Sequence, residues 1–242
     1  MTRLTYLKTL LVDSALAHAM KFTAPLSPAY GNAFGNRILL AFVIVGIGIF
    51  LCLRFALQLT ELSGIPEANF CFVISLLAAF LITQNNFIKL PTSDIGLRTL
   101  AKWTRRERLY LFQVLPLAAL VFAVLFREHL FKLVEQHGVF RFMLFTVFTG
   151  VLWGFIQELM YRGWLQTELT RRFGPLLGIL ASNLIFTVGP LHLNLFTGSD
   201  GPQWNVIAAV FGIGLFFGVL YQRSGNLWIP ALLHGLWPLN MS

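Results

Sequence analysis

Charge is scarce in this chain: only 12% of its 242 residues are Asp, Glu, Lys or Arg, and just ten of those are acidic. A soluble domain carries about 25% charged residues, so this chain lacks the ionic surface to coat a water-soluble globule. Cysteine is nearly absent as well. The two present, Cys52 and Cys71, fall in apolar stretches with no ligand spacing. They exclude a disulfide framework and a cysteine metal cluster, and read as small buried hydrophobes. A long basic run interleaved with aromatics is also lacking, which excludes nucleic acid as a partner despite a net charge of +8. No internal repeat or low-complexity tract is visible, and the start has no cleavable signal-peptide pattern. What remains is abundant apolar residue, 57% of the chain with 24 Phe and 6 Trp. That composition belongs in a bilayer.

A spanning helix needs about 20 mostly apolar residues. The segments that meet or approach this run from Ile38 to Leu59, Asn69 to Ile88, Leu109 to Phe126, Val139 to Leu165, Pro175 to Leu195, Trp204 to Tyr221 and Asn226 to Asn240. The fold class expected is therefore all-α, a polytopic transmembrane helical bundle of about seven spans. Residues 1–37 form a separate N-terminal segment, helically amphipathic from Tyr6 to Phe22, and 38–242 the transmembrane domain. Pro116 predicts a kink in the third span, and Gly189-Pro190 a break in the fifth. The fourth is longer than a bilayer requires, which predicts tilt. Gly214 and Gly218 on the sixth span predict a helix-packing face.

The basic residues set the orientation. With the N-terminus inside, Arg3, Lys8, Lys21, Arg37, Lys89, Arg98, Lys102, Arg105, Arg106, Arg108, Arg162, Arg171, Arg172 and Arg223 share one side. Only Arg127, Lys132 and Arg141 fall on the other, and Arg54 within a span. The expected protein is multi-pass in a prokaryotic inner membrane, with its N-terminus cytoplasmic and, for seven spans, its C-terminus outside. The loop from Lys89 to Arg108 is expected to rest on anionic headgroups.

Ionisable groups inside spans are costly and mark function by default. Three stand out: Glu158 on the fourth span, His192 on the fifth and His234 on the seventh. Glu158 and Arg162, four apart on a helix, share a face and can pair. Singly, each has a bland reading: a charge pair orienting a helix end, or a histidine satisfied within the bundle. Together, a carboxylate and two imidazoles are the chemistry of water activation or of a metal site. The carboxylate can take a proton from water with one imidazole, and the second imidazole can stabilise an oxyanion. The same three groups could hold zinc with an open position. No two of them have the four-residue spacing of a zincin helix, so the favoured expectation is no cofactor.

The segment Gln157-Glu158-Leu159-Met160-Tyr161-Arg162-Gly163 resembles the EExxxR motif of the CPBP intramembrane proteases, the family of CAAX prenyl endopeptidases and bacteriocin-processing (Abi) proteins. Ser93-Asp94-Ile95-Gly96-Leu97-Arg98 resembles its Gly-Leu-Arg segment, Leu191-His192-Leu193 the end of its second motif, and Gly225-Asn226-Leu227-Trp228-Ile229-Pro230 with Leu233-His234 its last. The resemblance covers roughly residues 90–240, with a catalytic core at about 139–240. It implies an all-helical membrane bundle that hydrolyses a peptide bond in a membrane-associated or C-terminally anchored protein. Glu158 and His192 would activate water and His234, with an Asn, would stabilise the oxyanion. Arg162 matches the motif arginine. Gln157 stands at the first glutamate position, where an amide cannot act as a base. The Phe-x-x-x-His pattern meets Val188, with Phe186 two residues early. The His-x-x-x-Asn pattern meets Pro238, which leaves Asn240 as the nearest amide.

Two accounts fit these departures: an active divergent branch with Gln157 positioning water or the peptide carbonyl, and an inactive relative that binds membrane helices as a scaffold. A small proton-coupled transporter is the competing class, although no inverted repeat supports it. Helix rise places Glu158 and His234 near mid-membrane and His192 a turn or two outward, a mismatch for the Gly189-Pro190 break to absorb. The partners expected are a membrane protein or peptide substrate and the lipid bilayer; the sequence selects no oligomeric state.

Overall fold

A computed structural model describes residues 31–59, 65–125, 127–197 and 201–235. The amphipathic Tyr6–Phe22 segment, Pro238 and Asn240 lie outside the described residues. Within them all regular structure is helical and there is no strand. The chain is an all-α bundle, as its composition requires.

Helix α1 (Asn32–Ala41) continues through a π-helical stretch, Phe42–Ile49, into α2 (Phe50–Leu59). Helix α3 (Pro66–Ile82) follows, with Pro at its start, and runs on through a second π stretch, Thr83–Ile88. After the basic loop come α4 (Arg105–Leu125) and α5 (Arg127–Arg141). A π stretch Phe142–Val147 leads to α6 (Phe148–Glu158), which runs through the π stretch Leu159–Gln166 into α7 (Thr167–Phe173). Gly174 stops it with a left-handed φ of 83°. Helices α8 (Pro175–Val188), α9 (Asn194–Thr197), α10 (Trp204–Ser224) and α11 (Trp228–Gly235) complete the fold.

Three stretches are long and apolar enough to cross a membrane as single helices: Asn32–Ala56, Glu67–Ile88 and Trp204–Ser224. They correspond to the first, second and sixth expected spans. The fourth exists as a pair, Val134–Leu144 and Phe148–Phe173, bent by 56°, so its excess length is taken up by a bend. The fifth ends at Val188, because Pro190 cannot continue the helical ladder. Its 14 residues reach about 21 Å at 1.5 Å per residue, short of a hydrocarbon core of about 30 Å. Pro116 lies inside α4, and the described part of the seventh is α11.

Large apolar side chains cover the outside, among them Phe112, Phe140, Leu176 and Trp204. Cys52 and Cys71 join them: both are exposed rather than buried. In a lipid-facing bundle a small apolar residue has no need to point inward, so the rule that puts cysteine inside soluble proteins fails here. The inside is instead built on the π stretch after α6, where every residue from Leu159 to Gln166 is buried. Trp164 packs on Phe80, with ring centroids 4.7 Å apart, and its indole N–H donates to the buried Gln84 at 2.9 Å.

Gly214 and Gly218 do form a close face. A Cβ at Gly218 would come within 3.0 Å of Gln166 and 3.1 Å of Ile179. Both carbonyls are used. Arg162 Nη2 donates to Gly214 O and Gln166 Nε2 to Gly218 O, each at 2.8 Å. Two side chains four residues apart thus grip two carbonyls four residues apart, fixing the register of α10 against the buried π stretch.

Arg98 departs from the expected headgroup role. Its guanidinium donates to Ser224 O at 2.8 Å and Gly225 O at 3.0 Å, capping carbonyls left open at the end of α10. Its own carbonyl accepts from the Trp228 and Trp103 indoles. Leu227 N also donates to Gly96 O at 2.9 Å. The Gly-Leu-Arg segment and the turn before α11 are therefore clasped together. Beneath them Thr104 and Glu107 form a reciprocal cap at the start of α4, and buried Glu107 also accepts from Asn226.

Candidate active site

Glu158 sits at the join between α6 and its π continuation, fully buried. Its Oε2 lies 3.3 Å from Arg162 Nε, as the four-residue spacing predicts. Its Oε1 lies 2.7 Å from His234 Nδ1 on α11. These are the ion-pair and hydrogen-bond partners of Glu158 among the described residues. His192, which the motifs pair with Glu158, is held differently: its Nδ1 is 3.0 Å from the carbonyl of Phe186.

Phe186 joins the two histidines. Its ring meets His192 edge-on at 4.7 Å, His234 at 6.1 Å and Tyr161 at 5.0 Å, and the Arg162 guanidinium lies 4.6 Å from its centroid. The sequence put Phe186 two residues too far from His192 for the family pattern. The turn at Gly189–Pro190 takes up the difference by folding His192 back over the end of α8.

His234 is delivered by an unusually close helix crossing. A Cβ at Gly154 would fall 2.5 Å from Gly235 N and 2.7 Å from its Cα. A Cβ at Gly235 would fall 2.7 Å from Val151 Cα. Backbones meet directly at this point, one turn before Glu158 and one residue after His234. Phe217 of α10 stacks on the His234 ring at 5.3 Å and fixes its plane.

Gln157 is buried beside Glu158. Glu158 Oε2, Tyr161 OH, Arg162 Nη1 and Asn183 Oδ1 are all buried without a hydrogen-bond partner among the described residues. Spare polar capacity of this kind calls for explanation in a native interior. Here it gathers around one ring and one ion pair. Among the described residues no group of three His, Cys, Asp or Glu side chains is placed to hold a metal. Tyr161, Asn183, Gly154 and Gly235 were not legible as site residues, and Phe186 was marked only as the phenylalanine two residues short of the motif position. For Asn183 the signal available was the Ser182-Asn183 pair, polar inside a mostly apolar helix.

A family model described as type II CAAX prenyl endopeptidase, Rce1-like, matches residues 139–239. The chain carries an Rce1-like region. That region runs from the end of α5 through α11 and includes Glu158, Arg162, His192 and His234. The resemblance drawn from the motifs holds, and it is to a protease family. Uncharacterized protein YpbD of Bacillus subtilis (strain 168) is 28% identical over 88 residues, which are 36% of this chain and 39% of that protein. The match therefore spans well under two thirds of that relative. No solved structure matches. The Rce1-like region and the apolar helices together mark an integral membrane protein.

Proposed function

We propose that this chain is an intramembrane endopeptidase that hydrolyses a peptide bond in a membrane-anchored protein. The observation that carries the reading is the buried Glu158–His234 contact of 2.7 Å, within a region that resembles CAAX prenyl endopeptidases. A carboxylate coupled to an imidazole can hold and move one proton, which is what adding water across an amide requires. Arg162 lies beside it as the charge partner of the other carboxylate oxygen, 3.3 Å away. His192, with Nδ1 against the Phe186 carbonyl and its ring edge-on to Phe186, is the second imidazole for this step. Oxyanion stabilisation falls to donors around Phe186, such as Arg162, and to the Asn that the family resemblance implies, for which Asn240 is the candidate. The substrate is a membrane-associated or C-terminally anchored polypeptide in a prokaryotic inner membrane, and the bias of basic residues supports a cytoplasmic N-terminus. The residues require no cofactor for this chemistry. Two imidazoles and a carboxylate are also zinc's ligand types, but among the described residues no three such groups are gathered for a metal; the second reading is an inactive relative that binds membrane helices, with Gln157 in place of the motif's first glutamate.

The test uses the full chain reconstituted in liposomes with a library of membrane-anchored peptides. Wild type should cleave, Glu158→Ala and His192→Ala should not, and a strong chelator should leave the rate unchanged. Loss of cleavage on chelation, restored by zinc, would establish the metal version. Peptide binding without cleavage by any form would establish a scaffold.

A further inference from the structure

The division of labour within the site can be read from which atoms are reachable. Glu158 has no exposed surface; one oxygen faces Arg162 and the other His234. A water molecule meeting a substrate carbonyl does not touch it in this arrangement. The His234 side chain retains 15% exposure. Its Nδ1 is committed to Glu158, and its Nε2 has no hydrogen-bond partner among the described residues. A carboxylate behind one ring nitrogen fixes the tautomer and leaves the other nitrogen with its lone pair unshared. The ring is also held mechanically. Phe217 stacks on its face, the Phe186 ring lies near it at 6.1 Å, and the Gly154–Gly235 crossing brings α11 against α6 at backbone contact.

We propose that His234 is the catalytic base through Nε2, and that Glu158 is a positioning residue acting through His234 Nδ1. The inference rests on the endopeptidase reading above and reverses the roles the motifs imply, in which Glu158 meets water and His234 binds the oxyanion. In the step itself, Nε2 takes a proton from water as the water oxygen bonds to the peptide carbonyl carbon. The carbonyl π pair moves onto its oxygen. When that pair returns, the C–N bond breaks and the leaving nitrogen takes the proton back from Nε2. One water is consumed, and one carboxyl and one amine are formed. Of the charged and titratable groups on elements packed around α11, Glu158, Arg162 and His192 lie about His234. From α10 it meets the Phe217 ring, and on α4 Tyr110 packs in the cluster that holds Leu233.

Two measurements on the full chain in lipid decide it. The first is chemical rescue: His234→Ala should lower cleavage by about 10²–10⁴-fold, the usual span for a general base. A series of small azoles should restore it, with a rate that rises with azole basicity. A rate that falls with basicity identifies a donor to the oxyanion, and a flat response, absent rescue included, denies proton transfer at this position; either overturns the proposal. The second is nitrogen NMR of isotope-labelled histidine, which needs no cleavage. His234 should carry its proton on Nδ1 in wild type and lose that preference in Glu158→Leu. A proton on Nε2 in wild type, or a preference unchanged by the substitution, overturns the positioning role. Failure of wild type to cleave any substrate counts against the endopeptidase reading itself and is seen before any variant is made.

Discussion

Each oxygen of Glu158 has its own partner, and the two partners differ in what they offer. Arg162 supplies permanent charge and is itself held by the Gly214 carbonyl; His234 supplies an exchangeable proton. Removing the arginine leaves a carboxylate buried and half unpaired. Arg162→Ala should therefore destabilise the fold by about 3–5 kcal/mol, read as a lowered midpoint of thermal unfolding in detergent. Arg162→Lys should fall between, because a point charge cannot reach both Oε2 and the Gly214 carbonyl as a planar fork does. At this scale the sequence was informative where it was sparse. Glu158, Arg162, His192 and His234 stood out because ionisable groups are rare in apolar stretches. Phe186, one phenylalanine among 24, was noticed only as a near miss to the motif, because its role depends on a turn that brings a later residue back. The Glu158–His234 contact was not readable for the same reason: spacing along the chain does not say which of two imidazoles a helix crossing brings nearer.

The elements that matter most are short or irregular. Helix α11 is described over eight residues and is positioned by backbone contact with α6, not by length. Gly154→Ala would force a Cβ into the Gly235 backbone, push the helices apart and lengthen the Glu158–His234 contact. Cleavage should drop at least about 10-fold, since angstrom-scale misplacement of reacting groups costs up to about 10²-fold. Gly212→Ala, on an open face of α10 where a Cβ meets nothing within 4 Å, should leave the rate unchanged in the same assay. Apolar runs located most helices, whereas their irregularities were only partly readable. Pro190 announced the end of α8, but nothing in Leu159–Gln166 announces a π stretch. A π turn inserts an extra residue per turn and recurs at functional sites. Here it carries Tyr161, Arg162 and Gln166 into the interior. The Gly214/Gly218 face was legible because small residues four apart are a packing signal; the arginine and glutamine that use its carbonyls were not.

Over its described residues the molecule is an apolar bundle whose few charges lie at helix ends and loops or inside it. Of the basic loop, Arg98 is spent on clasping the end of α10, while Lys102, Arg105, Arg106 and Arg108 remain exposed at the start of α4, where headgroups would meet them. A reporter fused ahead of Met1 should accordingly be active only in its cytoplasmic form; activity of a periplasm-dependent reporter there would reverse the orientation. The account stands or falls on hydrolysis at the Glu158–His234 pair. The most direct measurement is mass spectrometry of a membrane-anchored peptide incubated with the reconstituted chain in heavy-oxygen water. Wild type should release a fragment whose new carboxyl carries one heavy oxygen from solvent, and His234→Ala should release none. An intact peptide with wild type, or the same labelled fragment at the same rate from His234→Ala, would contradict it.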